Sequence, residues 1–172
     1  MRMKSINRNR VMREMWFFGV AAFVIGLDQL TKYLVRINPT LTSGQSIPEH
    51  GFFRFTYGTN TGGVFGFFSN QTFLITVAAV ISVVVIILYS RHRMAQSMLV
   101  KVSLGMILGG SIGNLIDRVR LGEVTDFIDI GAWPVFNLAD SAIDIGVVLL
   151  IIYILFRMQK DSREAKRVGS ED

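Results

Sequence analysis

Between Gly109 and Gly146 the chain reads GGSIGNLIDRVRLGEVTDFIDIGAWPVFNLADSAIDIG, gathering Asp117, Asp126, Asp129, Asp140 and Asp144 with Asn114 and Asn137. The flanking segments are apolar enough to cross a bilayer, and ionisable groups in or beside such segments are costly enough to be read first as functional. The chain has no cysteine and only two histidines, His50 and His92, far apart in sequence. Disulfides, cysteine nucleophiles and thiolate metal sites are therefore excluded, and neither histidine has a metal-ligand partner at helical spacing. What remains is carboxylate chemistry. Two carboxylates can share one proton, so that one activates water while the other donates to a carbonyl, the chemistry of aspartic proteases. A proton or ion path also uses intramembrane carboxylates. The residues alone leave both open.

The elements that must position these groups follow from composition and charge. Hydrophobic residues make up 51% of the 172 positions and charged residues 18%, and the mean hydropathy is +0.44. This is the profile of an integral membrane protein rather than a soluble domain. The net charge of +5 does not point to nucleic acid, because the positive residues sit beside apolar runs and read as orientation signals. Arg2, Lys4, Arg8, Arg10 and Arg13 precede an apolar run from Trp16, which resembles a secretory signal peptide. The apolar character resumes after Asp28 and Gln29, however, and no small-x-small cleavage site follows. The expected fold class is an α-helical membrane protein of four transmembrane helices with a small extracytoplasmic β-rich segment. One integral unit covers residues 1–172, with spans at about 16–36, 71–90, 98–117 and 137–156 and extracytoplasmic connections at 37–70 and 118–136.

The 37–70 connection is punctuated by Pro39, Gly44 and Pro48, and FFRFTYG (Phe52–Gly58) alternates partially, which predicts a short strand or two. The aromatics of Thr59–Phe68 suit a membrane surface. Gly105, Gly109 and Gly113 recur every fourth residue of the third span, a face for close helix packing rather than chemistry. The tail Arg157–Asp172 is expected to be solvated and partly disordered. Thirteen of the eighteen lysines and arginines fall on the two termini and the 91–101 connection, against Arg54, Arg118 and Arg120 in the other two connections. By the positive-inside rule both termini are cytoplasmic.

That topology brings Asp28 and Lys32, Asn114 and Asp117, and Asn137, Asp140 and Asp144 to the outer ends of their helices, with Asp126 and Asp129 in the loop between. Every part of the chain except the second span supplies polar groups to one level. Plain structural uses exist for several: Asp28 and Lys32 as mutual partners at a helix end, Asn114 and Asn137 as interhelical hydrogen-bond glue, Asp129 as an interfacial charge. A relay through Asp28, Asp140 and Asp144 in a transporter predicts polar groups spread through the bilayer depth. A non-enzymatic assembly factor leaves Asp126 and Asp140 without a purpose.

Five motifs in order, DQLTK (Asp28–Lys32), NTGGVFG (Asn60–Gly66), GNLIDR (Gly113–Arg118), VTDF (Val124–Phe127) and FNLADSA (Phe136–Ala142), resemble the bacterial lipoprotein signal peptidases, signal peptidase II. The resemblance implies an intramembrane aspartic endopeptidase. It would remove signal peptides from prolipoproteins bearing a diacylglyceryl group on the lipobox cysteine, cutting just before that cysteine. It puts the catalytic pair on Asp126 and Asp140, which periodicity cannot choose over Asp117 or Asp129. It puts substrate-binding positions on Asn60, Asn114, Arg118 and Asn137, and supporting positions on Asp28, Lys32 and Asp117. It makes 37–70 a β-cradle and the region after Asp117 a mobile flap-like element. It implies no metal or other cofactor, and as partners the lipidated prolipoproteins and membrane lipids, with no nucleic acid. A monomer in the bacterial cytoplasmic (inner) membrane is expected, its active site near the extracytoplasmic face. Two positions depart from the family pattern. Gly63 stands where alanine is common, and Asp144 stands where an uncharged residue is expected. Asp144 either raises the pKa of Asp140 or pairs with a cation such as Lys32.

Overall fold

The four apolar stretches form four long helices in the computed structural model, which describes residues 8–61, 72–92 and 97–168. They are α1 (Arg8–Arg36), α3 (Thr72–Ser90), α4 (Met98–Leu121) and α5 (Leu138–Val168), each long and apolar enough to cross a membrane. Short elements lie between them: the one-turn helix α2 (Pro39–Thr42) and strands β1 (Arg54–Asn60) and β2 (Val124–Asp129). The expected class, a four-helix membrane protein with a small β element, is the one observed.

Several boundaries differ from expectation for local reasons. Helix α1 starts at Arg8, ahead of the apolar run, because Arg8–Met15 contains no proline or glycine to stop it. Helix α4 continues past Asp117 to Leu121, where Gly122 takes the left-handed conformation (φ 80°) and its N–H donates to the Arg118 carbonyl. The tail is not disordered as far as Val168: α5 runs through it, rich in strong helix formers and with Lys160 and Glu164 paired at 3.8 Å. Helix α2 was not anticipated. Asn38 caps it, its Oδ1 accepting from the N–H groups of Thr40 and Leu41, with Pro39 at the first helical position.

The strand expected in the 37–70 connection is present as β1, with a single bridge between Ile47 and Phe55 beside it. Strand β1 pairs antiparallel with β2, the segment after α4, in a register running from Arg54 opposite Asp129 to Asn60 opposite Val124. The region assigned to a flap is thus the last turn of α4 followed by a strand. The aromatic stretch after Thr61, with Gly63 and the rest of NTGGVFG, lies outside the described residues up to Gln71.

Helix α4 is the middle of the bundle, with more than half of the residues in its span buried, whereas in α3 only Ser90 is fully buried. Lipid tails are as apolar as leucine, so such helices associate through close packing rather than hydrophobic burial. The glycines provide it. A Cβ at Gly105 would stand 2.7 Å from the Phe17 carbonyl, and one at Gly109 would stand 2.7 Å from Val24 Cβ and 2.8 Å from the Ala21 carbonyl. The stripe therefore docks α1. Gly110 and Gly146, which the four-residue repeat does not mark, do the same for α4 against α5, where added methyls would meet the Ala139 carbonyl and Ile107. At the end away from the sheet, buried Lys101 donates to Glu14 Oε1 (2.6 Å) and to the Ser90 carbonyl (2.5 Å), tying α1 and the end of α3 to α4.

Replacing Gly109 with Leu should force α1 off α4. Overpacking of this kind typically costs about 1–3 kcal/mol, so the variant should melt at lower temperature in detergent. An unchanged melting curve would contradict this helix contact.

Candidate active site

At the sheet end of the bundle the polar residues of α1, α4, β2 and α5 converge on one buried ammonium. Lys32 is fully buried, and its Nζ reaches Asp28 Oδ2 (3.0 Å), Asp117 Oδ2 (3.3 Å) and Asn114 Oδ1 (2.9 Å). An ammonium has three protons, and here each has a partner. The spacing of Asp28 and Lys32 puts both on one face of α1, so their expected pairing is present.

Each carboxylate in turn fixes another element. Asp28 Oδ1 accepts the Ala139 N–H (3.0 Å), one of the unpaired donors at the start of α5. This close approach requires Gly113, because a Cβ there would stand 2.6 Å from Asp28 Oδ2. Asp117 Oδ2 accepts the Thr125 N–H (3.1 Å) and so holds β2, while its Oδ1 accepts from Gln29 (3.1 Å). Arg36 reaches Asp117 Oδ1 at 3.5 Å and the Thr125 hydroxyl at 3.0 Å. Asp28 and Asp117 thus face Lys32 and Arg36, two charges of each sign.

Asp126 and Asp140 lie just beyond this balanced group. Asn137, fully buried, precedes α5 and caps it: its Oδ1 accepts the Asp140 N–H (3.0 Å) and its own N–H donates to Asp140 Oδ2 (3.2 Å). This is the reciprocal capping box, with Asn and Asp in the two roles. The Asn137 amide then donates to Asp126 Oδ1 (2.7 Å) and Asn114 Oδ1 (3.1 Å). Asn114 donates to Asp140 Oδ1 at 2.7 Å, and Asn60 donates to Asp126 Oδ2 at 3.1 Å. Asn60 can do so because it sits opposite Val124, two positions from Asp126 and so on the same face of the sheet. Two carboxylates are therefore gripped by three asparagines, and one of these, Asn137, touches both.

Neither Asp126 nor Asp140 forms an ion pair among the described residues. Arg118, the nearest guanidinium on α4, points its NH1 at the Asn114 carbonyl (3.4 Å). Burial, and next the Asp140 carboxylate, push Asp126 up to about 6, against the pull of the Asn60 and Asn137 amides and the Lys32 charge. Asp129 is set apart. It bonds Arg54 across the sheet (2.5 Å) and the Gly131 N–H (2.8 Å), and these donors, the backbone N–H first, hold it below its usual value.

A cavity of about 410 Å3 opens over the pair. Asn60, Arg118, Asp126, Asp140 and Asp144 line it, with Ile130, the Trp133–Phe136 segment and Ile143. Asn114 and Asn137 do not line it; they work from behind, on the carboxylates. Sequence reasoning missed the Trp133–Phe136 wall and strand β2. The signals for β2 were present, in the β-branched run VTDFI after a capping Gly122. Asp144 is one turn along α5 from Asp140 and does not pair with Lys32, whose three protons are taken.

Comparison with known proteins agrees with the resemblance read from the five motifs. The family model described as signal peptidase (SPase) II matches residues 20–156. A lipoprotein signal peptidase of Moorella thermoacetica is 40% identical over 149 residues, covering 86% of this chain and 98% of that one. Another, from Caldanaerobacter subterraneus subsp. tengcongensis, is 44% identical over 140 residues, covering 80% of this chain and 94% of that one. A solved bacterial membrane enzyme superposes with a TM-score of 0.76 at 32% identity, covering 84% of this chain and 90% of that one. With the family model spanning most of its length and near-full-length relatives at this identity, the chain belongs to the signal peptidase II family of membrane peptidases.

Proposed function

We propose that this protein is an intramembrane aspartic endopeptidase that removes signal peptides from prolipoproteins, cutting before a cysteine that already carries a diacylglyceryl group. The observation that carries this reading is the bridging of Asp126 and Asp140 by Asn137 at the floor of one cavity. The four long apolar helices offer the signal peptide's hydrophobic run a matching environment, while the sheet end of the bundle supplies the polar groups. The acyl chains of the modified cysteine would lie in the surrounding lipid. A monomer contains every group the reaction uses, and no metal or organic cofactor is needed for it.

The reaction divides between the two carboxyls. Asp126, pushed up to about 6, carries the shared proton and hydrogen-bonds the scissile carbonyl oxygen. Asp140, at the N-terminus of α5, acts as the base and takes a proton from water as the water oxygen bonds the carbonyl carbon. The carbonyl π electrons move to oxygen, which is held by Asp126. When the tetrahedral centre collapses, the C–N bond breaks and the amine leaves with the proton now on Asp140. Asn114 and Asn137 keep the two carboxylates oriented from behind. Arg118 and Asn60, at the cavity wall, engage the peptide backbone.

By the positive-inside count, both termini face the cytoplasm and the sheet end faces outward, in the bacterial inner membrane. Single cysteines introduced at Ser43 and Ser162 should then label from opposite sides of the membrane. Labelling from the same side would overturn the orientation.

Asp126→Asn and Asp140→Asn keep size and hydrogen bonding but remove proton exchange. Each should lower cleavage of a diacylglyceryl-modified prolipoprotein by about 100-fold or more, and the double change should cost little beyond either alone. Asp129→Asn, on the Arg54 side of the sheet, should remain active. Substantial cleavage by properly inserted Asp140→Asn would refute the assignment.

A further inference from the structure

Asp144 is an exposed carboxylate on a membrane-spanning helix, and no hydrogen bond or ion pair among the described residues involves it. Neither neighbouring cation pairs with it among the described residues: Lys32 is held by Asp28, Asn114 and Asp117, and Arg118, on the same cavity wall, points its NH1 at the Asn114 carbonyl. The sequence from Thr61 to Gln71 contains no lysine or arginine, and α5 has none before Arg157. A carboxylate at such a position carries a cost unless something comes to meet it. Asp144 lines the same cavity as Asp126 and Asp140, within reach of a peptide bound there.

We propose that Asp144 is a specificity-determining residue that accepts a hydrogen bond from the substrate side chain two residues before the scissile bond, favouring a hydroxyl over an alkyl group there. This rests on the peptidase reading of the site. The geometry follows from α5. Asp144 is four residues beyond Asp140, hence on the same face and about 6 Å further along the axis. An extended peptide advances about 3.3 Å per residue, so a chain whose scissile carbonyl lies at Asp140 presents its second residue to Asp144. Helix α5 runs from the sheet end into the bundle, where the apolar signal segment belongs, so that residue is on the signal-peptide side. A serine hydroxyl can donate to the carboxylate, whereas an alanine leaves it with water or nothing. Hydrogen bonds to a charged partner are the stronger kind.

The test uses the full-length protein in detergent with two diacylglyceryl-modified prolipoproteins that differ only by Ser or Ala at that position. Wild type should favour the serine substrate by about tenfold or more in kcat/KM, mainly through KM. Asp144→Val should lose or reverse the preference, and Asp144→Asn should show an intermediate ratio. Equal ratios in wild type and Asp144→Val would overturn the proposal. Asp126→Asn, run on the same pair, reports on the dyad separately. Cleavage by that variant removes the dyad reading and the Asp144 proposal with it, whereas dyad-dependent cleavage with equal ratios removes the Asp144 assignment alone.

Discussion

The buried ammonium of Lys32 is the contact on which the sheet end depends. It sits on α1, yet its three partners reach α4, α5 and β2, through Asn114, through Asp28 with the Ala139 N–H, and through Asp117 with the Thr125 N–H. Removing one member of such a buried pair leaves an uncompensated charge, which typically costs about 3–5 kcal/mol. The ammonium also neutralises carboxylates that would otherwise repel the pair beside them. Lys32 thus holds geometry and charge together without touching the cavity.

The packing beneath it makes this arrangement possible. Gly113 lets the Asp28 carboxylate come against α4, and Gly110 lets the first turn of α5 approach closely enough to offer Ala139. Small residues and polar hub are one device. The glycines bring three backbones together, and the charged network fixes their relative height, so that the capping box of α5 delivers Asp140 beside Asp126 on the sheet. The stability consequence has a definite sign. Asp126 binds its proton more tightly folded than unfolded, so its contribution to stability falls as pH rises from the ordinary carboxylate range through about 6.

How much of this the sequence disclosed depends on the range of the interaction. Helical periodicity and apolar length marked the four helices, and the i, i+4 spacing marked the Asp28–Lys32 pair. The glycine repeat marked the α1–α4 face through Gly105, Gly109 and Gly113. Gly110 and Gly146 have no glycine four residues to either side, so no repeat marks the α4–α5 contact. Strand β2 was read as loop because its partner, β1, is more than sixty residues away, and pairing over that distance leaves no local trace beyond a β-branched run. The resemblance put Asn114 and Asn137 at substrate-binding positions and the residues alone offered them as interhelical hydrogen-bond glue; in the structure their amides bond Asp140, Asp126 and each other. Nothing in the spacing of two asparagines distinguishes these uses.

The central claim is that Asp126 and Asp140 form one proton-sharing unit with the proton on Asp126. Isotope-edited infrared spectroscopy of the purified protein, following the protonated carboxyl stretch across a pH series, measures this directly. The account predicts a carboxyl band that is present in mildly acidic solution and lost as pH rises, with a midpoint at about 6. That band should be absent in Asp126→Asn, and its midpoint should move in Asp140→Asn, where the neighbouring negative charge is gone. If no carboxyl titrates above the ordinary aspartate range, or if Asp126→Asn leaves the band in place, the two residues do not share a proton in this way.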